Sequence, residues 1–263
     1  MSLAIPLMVQ KVFVFLVGCC FGSFYNVLIR RLPAGESIVE PGSHCPQCNH
    51  PISFYDNIPL VSYLVLMGKC RHCGKPIPLR YPLVEGLTGS LALLLFMRYG
   101  WNPQFFLECV FVSLLILITF IDLDTYLIPD VLSVPGIVAG FAFSFFATRL
   151  SWLDSLLGII LGGGFFFLIA IGYQVLRHKE GLGGGDIKLL AMIGAFLGWP
   201  GVVFTVLAAS LVGTVVGVVI MWRSRKGLGA MLPFGPFLAS GAVSYLFWGE
   251  EFYRWYIGDI LGL

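Results

Sequence analysis

Charge is what this chain has least of. Its 263 residues include only 16 Lys or Arg and 14 Asp or Glu, 11% in all, where ordinary soluble domains carry about 25%. A formal net charge of +2 excludes nucleic-acid binding driven by a basic surplus. No low-complexity tract and no convincing internal repeat is evident, which argues against a disordered linker protein or a solenoid. No small-residue cleavage site follows the first apolar run, Leu3 to Ile29, so that run is read as a retained helix and not a removed signal.

What is abundant is apolar surface: 58% of the residues are hydrophobic. Runs long enough to cross about 30 Å of hydrocarbon are expected near 4–28, 83–99, 104–121, 131–148, 155–176, 187–199, 201–222 and 231–248. The fold class is therefore all-α, a polytopic membrane protein of about eight transmembrane helices whose main solvent is the lipid bilayer. Its expected parts are a first transmembrane helix (1–29), a cytoplasmic loop domain (30–82) and a transmembrane core (83–263). The sixth span is the weakest by length, and it joins the seventh through Trp199, Pro200 and Gly201.

Orientation follows from the basic residues, which cytoplasmic loops retain. Arg30, Arg31, Lys69, Arg71, Lys75, Arg80, Arg177, Lys179, Lys188, Arg223, Arg225 and Lys226 fall on one side; Arg98, Arg149 and Arg254 fall on the other. The bias places the loop 30–82 inside and both termini outside. Seven spans would break the alternation.

The loop holds "CPQC" at Cys45–Cys48 and "CRHC" at Cys70–Cys73. Four thiolates on two tight turns suit tetrahedral zinc, and a cytoplasmic compartment disfavours disulfides. Cys45, Cys48, Cys70 and Cys73 are thus the expected ligands of a structural zinc knuckle, with His44, His50 and His72 as nearby competitors. Cys19, Cys20 and Cys109 lie in apolar runs and read as packing side chains.

Acids in or beside spans are expensive and mark function. "FIDLDTYLIPD" places Asp122 and Asp124 after the third span and Asp130 at the start of the fourth, and "GLGGGDIKLL" places Asp186 at the start of the sixth. By the charge bias all four face the cytoplasm, so one acid from each set can meet. Two carboxylates a few ångströms apart cannot both ionise cheaply; one keeps a proton while the other activates water. The glycines before Asp186 allow a peptide to approach the backbone. Against this, Asp186 suits a helix cap, Asp130 after Pro129 suits one better still, and Asp124 suits a solvated loop. Glu85 and Glu108 read as interfacial or proton-pathway acids, and Gly162–Gly164 as helix-packing glycines. Residue types alone leave Asp122 and Asp124 equivalent, and they leave open an ion-carrying transporter.

Several segments together resemble the type IV prepilin peptidases, among the GxGD intramembrane aspartyl proteases. They are "GSFYNVLIRRLP" (Gly22–Pro33), the two CxxC pairs, "RYPLVEGLTG" (Arg80–Gly89), "IDLDTYLIPD", "GGGD" and "LPFGPFLASG" (Leu232–Gly241). The resemblance implies that Asp122 and Asp186 are the catalytic dyad. It implies prepilin or pseudopilin substrates, cut on the cytoplasmic side of a bacterial inner membrane after a glycine preceding the hydrophobic stem. It further implies, for chains with this large loop, methylation of the new amino terminus with S-adenosylmethionine, and it assigns Gly68 and Lys69 of "GKCRHC" to that step. No glycine fingerprint of soluble methyltransferases is present. The loop also reads as a docking module for pilus or secretion machinery.

Overall fold

The computed structural model describes residues 6–147, 150–177, 183–224 and 232–254. Arg149, Lys179, Arg225 and Lys226, which enter the orientation reading, lie outside them, as do Gly181 and Leu182. The described residues are largely helical and contain no strand, only two isolated antiparallel bridges, His44 with Pro51 and Lys69 with Pro76. The chain divides into two compact units, Met1–Leu117 and Ile118–Leu263.

The first unit begins with α1 (Leu7–Ala34), which stops where Gly35 turns left-handed at φ 66° and its N–H caps the last carbonyls. A loop with a 3-10 turn (Phe54–Asn57) and a short α2 (Val61–Val65) leads to α3 (Arg80–Tyr99) and α4 (Pro103–Thr125). α1 and α3 are in backbone contact. A Cβ on Gly18 would lie 2.8 Å from the Gly89 Cα, and one on Gly22 would lie 2.7 Å from the Glu85 Cα. The Tyr25 hydroxyl donates to Ser113 Oγ at 2.7 Å and ties α1 to α4.

The second unit takes the last turns of α4, then α5 (Asp130–Ser144) and α6 (Trp152–Ile159). A π-helical turn (Ile160–Phe165) leads on to α7 (Phe166–Arg177), followed by α8 (Gly184–Ser224) and α9 (Gly235–Arg254). α8 is the hub. Its 41 residues would stretch about 60 Å if straight, twice the hydrocarbon thickness, and it breaks at Gly198, whose φ of 72° departs from the helix. The halves have different neighbours. Before the break, Leu189, Leu190, Met192 and Ile193 are fully buried, Gly140 of α5 meets Ala195 and Phe196, and Ser155 of α6 donates to the Ala195 carbonyl at 2.8 Å. After it, Thr205 and Gly213 pack against α9.

Among the described residues, four helices are long and apolar enough to cross a membrane: Leu7–Ala34, Pro103–Thr125, Trp152–Leu176 and Gly184–Trp222; Asp130–Ser144 is a shorter apolar helix. The segments expected as spans six and seven are two helices that meet within α8 at the non-helical Gly198.

The tightest seam is Gly158 against Gly194, where a Cβ on either would collide with the other's backbone carbonyl. Gly162 is equally close to the Leu190 carbonyl, in keeping with the packing role expected for that glycine run. Gly158→Ala should cost about 1–3 kcal/mol through forced separation of α6 from α8, seen as a lower thermal midpoint of the purified protein in detergent. An unchanged midpoint would show that this seam does not hold the unit together.

Candidate functional site

Asp122 and Asp124 are two residues apart on α4, so their side chains point about 200° apart around the helix. Packing then separates what composition could not: Asp122 is 4% exposed, while Asp124 is on the exposed side. Asp122 is held from above. The Gly235 N–H, at the start of α9, donates to Asp122 Oδ2 at 2.9 Å in a buried environment, placing the carboxylate at the positive end of a helix. A Cβ on Gly235 would lie 2.6 Å from that oxygen, so only glycine lets the backbone come this close.

Asp186 sits in the first turn of α8, half-buried, and Asp122 is the charged group that acts on it. The structure therefore brings Asp122 and Asp186 into electrostatic reach within one unit, from segments sixty-odd residues apart. The glycines beside Asp186 are needed for closeness. A Cβ on Gly183 would sit 3.0 Å from Asp186 Oδ2, and one on Gly185 would sit 2.9 Å from Ile128 Cβ, on the connection between α4 and α5. That connection turns at Tyr126, with φ 57°.

Asp130 does not have the capping role expected of it. The residue preceding α5 is Pro129, no side-chain cap bond is formed, and both Asp130 oxygens instead accept from Lys188 Nζ at 2.7 Å. This exposed ion pair clips α5 to the first turn of α8, beside Asp186. The sequence reading missed it, and it also missed the part played by Gly235. The available signal for the latter was a Gly-Pro pair opening an apolar helix.

In the first unit, the sulfurs of Cys45, Cys48, Cys70 and Cys73 lie within 4.8 Å of one another, and those of Cys45 and Cys73 are 4.0 Å apart. Tetrahedral ligation at a metal–sulfur distance of 2.3 Å separates sulfurs by about 3.8 Å, so the donor set and its spacing fit a metal ion. The histidines are not in the cluster: His50 and His72 stack on each other at 4.2 Å, and His44 Nδ1 lies 3.0 Å from the Gly42 carbonyl. Each cysteine pair occupies the same turn. Cys45 N–H donates to the His50 carbonyl and Cys70 N–H to that of Lys75, Asn49 and Gly74 adopt positive φ, and each turn closes with a bridge to Pro51 or Pro76. "CPQCNHP" and "CRHCGKP" are thus a short internal repeat that the sequence reading passed over.

Gly68 and Lys69 precede the second turn. Gly68 is buried with φ 67°, and a Cβ there would lie 2.9 Å from Tyr63 Oη; Lys69 is exposed.

Backbone N–H groups of Cys73 and His72 donate to the Cys70 sulfur and pull its thiol from the ordinary 9.0 down to about 7. Because the folded value is the lower one, this stabilisation of the turn is present above the ordinary thiol range and is lost as pH falls through about 7. In metal-free protein, alkylation of Cys70 should accordingly reach half its maximal rate near pH 7, and in urea only near the ordinary thiol value. Equal pH profiles in the two states would contradict the turn geometry.

Comparison with known proteins adds independent information. Residues 16–99 match the model of the bacterial peptidase A24 N-terminal domain, and residues 109–218 match that of the type IV leader peptidase family. A prepilin leader peptidase/N-methyltransferase of Myxococcus xanthus is 44% identical over 216 residues, covering 82% of this chain and 64% of the relative. Proteins of the same name from Aeromonas hydrophila and Burkholderia pseudomallei are 38% and 36% identical, over 94% and 95% of this chain and 94% and 89% of their own lengths. No solved structure matches the chain. With identity at this level sustained over nearly the whole length, the chain belongs to the type IV leader peptidase family.

Proposed function

We propose that this protein is an intramembrane aspartyl endopeptidase that removes the leader peptide of type IV prepilins or pseudopilins and then methylates the new amino terminus. The observation that carries the peptidase reading is that Asp122, buried and bound by the Gly235 N–H, and Asp186, in the first turn of α8, are near enough to act on each other electrostatically. The two carboxylates share one proton. The ionised one takes a proton from water as that water attacks the scissile carbonyl, while the protonated one gives its proton to the carbonyl oxygen; as the C–N bond breaks, the first passes the water-derived proton to the leaving amine and the second recovers one from a hydroxyl of the tetrahedral intermediate. Gly235 N–H fixes the Asp122 carboxylate while this happens. Gly184, where an added Cβ would have nothing within 4 Å, leaves room near Asp186 for an extended substrate backbone, and a glycine at the cut site eases local unwinding of a helical substrate.

In the same reading the membrane holds eight spans, with α8 supplying two through its break at Gly198. Both termini face the periplasm and the dyad faces the cytoplasm, as the basic residues indicate. Zinc on Cys45, Cys48, Cys70 and Cys73 has a structural role, because four sulfurs fill a tetrahedral shell and leave no open position for substrate. S-adenosylmethionine, when bound, supplies a methyl group made electrophilic by its sulfonium.

Incubating the purified full chain with a prepilin, with and without S-adenosylmethionine, and weighing the products tests both activities. Loss of the leader mass reports cleavage, and a further gain of one methyl reports transfer. Asp122→Asn and Asp186→Asn should each slow cleavage by at least about a hundredfold, whereas Asp124→Asn should not. Normal cleavage by either of the first two variants would reject the dyad.

Zinc content offers a separate check. The wild-type chain should carry one equivalent by elemental analysis, and Cys45→Ser or Cys70→Ser should lose it. If the loop serves chiefly to dock assembly machinery, these variants still cleave prepilin in detergent while pilus or secretion assembly fails in cells. If zinc supports the active fold, both fall.

A further inference from the structure

In the first unit, α2 and the turn before it present their apolar side chains outward. The serine of α2 is turned in: Ser62 Oγ accepts from the Ile58 N–H at 3.1 Å and donates to the Tyr55 carbonyl at 3.0 Å. Ser62, Tyr63 and Leu66 line a cavity of about 380 Å³ shared with Asn26 and Glu85 at the ends of α1 and α3. Val61, Leu64, Val65 and Met67 face the other way, Leu64 being 75% and Met67 84% exposed, and Phe54 in the preceding turn is 86% exposed. A helix beside water shows the opposite arrangement, and such a cluster of exposed apolar groups marks a surface that something covers.

What covers it follows from where α2 is anchored. The Leu60 N–H donates to Glu85 Oε2 at 2.8 Å, and the Leu60 side chain lies against α3, where a Cβ on Gly86 would be 3.8 Å from Leu60 Cδ2. α3 has 20 residues and is about 30 Å long, just enough to cross the hydrocarbon, so none of its length is spare. Glu85 stands about 7 Å along it from Arg80. α2 therefore starts at the level where the acyl chains begin. Beside that anchor Leu79, Leu83 and Leu87, spaced one turn apart and all exposed, give α3 an apolar stripe.

Charge and backbone agree with this placement. From Asn57 to Val84 the chain has no Asp or Glu but carries Lys69, Arg71, Lys75 and Arg80, the complement of an anionic leaflet. Lys69 is exposed just past Met67, where a long apolar stem lets an ammonium reach headgroups from the edge of an apolar patch. The N–H groups of Leu64, Leu66, Met67 and Gly68 donate to carbonyls of the same segment, as a chain in contact with lipid requires.

On the reading above in which α3 spans the membrane, we propose that the segment 54–67 is seated in the cytoplasmic leaflet. Val61, Leu64, Val65 and Met67 lie among the acyl chains, as the apolar face of an interfacial helix does, while the cysteine turns before and after the segment stay in water. The lipid-facing surface then continues from the stripe of α3 onto the loop, and the leaflet backs the wall that Ser62, Tyr63 and Leu66 give to the cavity.

Photo-crosslinking tests the seat. A benzophenone amino acid replaces Leu64, Leu87 or Gln47, one at a time, in the full chain reconstituted into vesicles of phosphatidylethanolamine and phosphatidylglycerol, and the irradiated protein is weighed intact. Phospholipid adducts are expected at positions 64 and 87 and not at 47. Adding Val65→Asp should lower the adduct at position 64 at least about fivefold; Val65 is exposed, so an unchanged thermal midpoint in detergent should accompany the loss. An adduct at 87 with none at 64, an equal adduct at 47, or a yield at 64 that Val65→Asp leaves unmoved would overturn the inference while leaving α3 in the membrane. A crosslink from position 64 to prepilin added to the vesicles, in place of lipid, would assign this face to the substrate and overturn it as well. No adduct at 87 would overturn the spanning reading of α3, and this inference with it.

Discussion

In a lipid solvent there is little hydrophobic force left to press one helix against another, because hydrocarbon is as apolar as leucine; attraction comes from close van der Waals contact. The protein meets that constraint by bringing bare backbones together. Gly18 and Gly22 of α1 lie on α3, and Gly158 and Gly162 lie on α8. A single added methyl at these places would meet main-chain atoms, which cannot rotate away as a side chain can. The two units are built independently by the same device.

The candidate sites lie where such contacts place polar groups that could not otherwise be tolerated. In the second unit, glycine at the start of α9 lets a main-chain N–H reach the buried Asp122 carboxylate, and glycines at the start of α8 clear space around Asp186. The ion pair of Lys188 with Asp130 holds the neighbouring helix starts in register. In the first unit, the α1–α3 seam ends at Asn26 and Glu85, and the loop that carries the four clustered cysteines lines the same cavity. Leu60, held at φ 61°, donates its N–H to Glu85 and so ties loop to helix.

The loop shows how two short turns can organise a segment with little core. Cys45–Cys48 and Cys70–Cys73 repeat one hydrogen-bond pattern, and their sulfurs converge although the backbone around them has no sheet and only a five-residue helix. Arg31, buried at the end of α1 and bonded to the carbonyls of Ser37 and Pro41, fixes the departing chain. A guanidinium can do this because it offers several donors in one plane.

The sequence by itself determined the solvent, the helices and the cysteine cluster, because hydrophobic run length and C-x2-C spacing are local properties of the chain. It also isolated four acids beside apolar runs, since a carboxylate there is costly wherever the fold puts it. It did not separate Asp122 from Asp124, which differ only in which side of α4 is covered, nor did it show that Asp130 would pair with Lys188 in place of capping its helix. Gly235 as the partner of Asp122, and Asn26 with Glu85 as the floor of a cavity, depend on contacts between segments far apart in the chain. Those contacts were decided by tertiary packing, because a hydrogen bond across 113 positions leaves no periodic trace in the order of the residues.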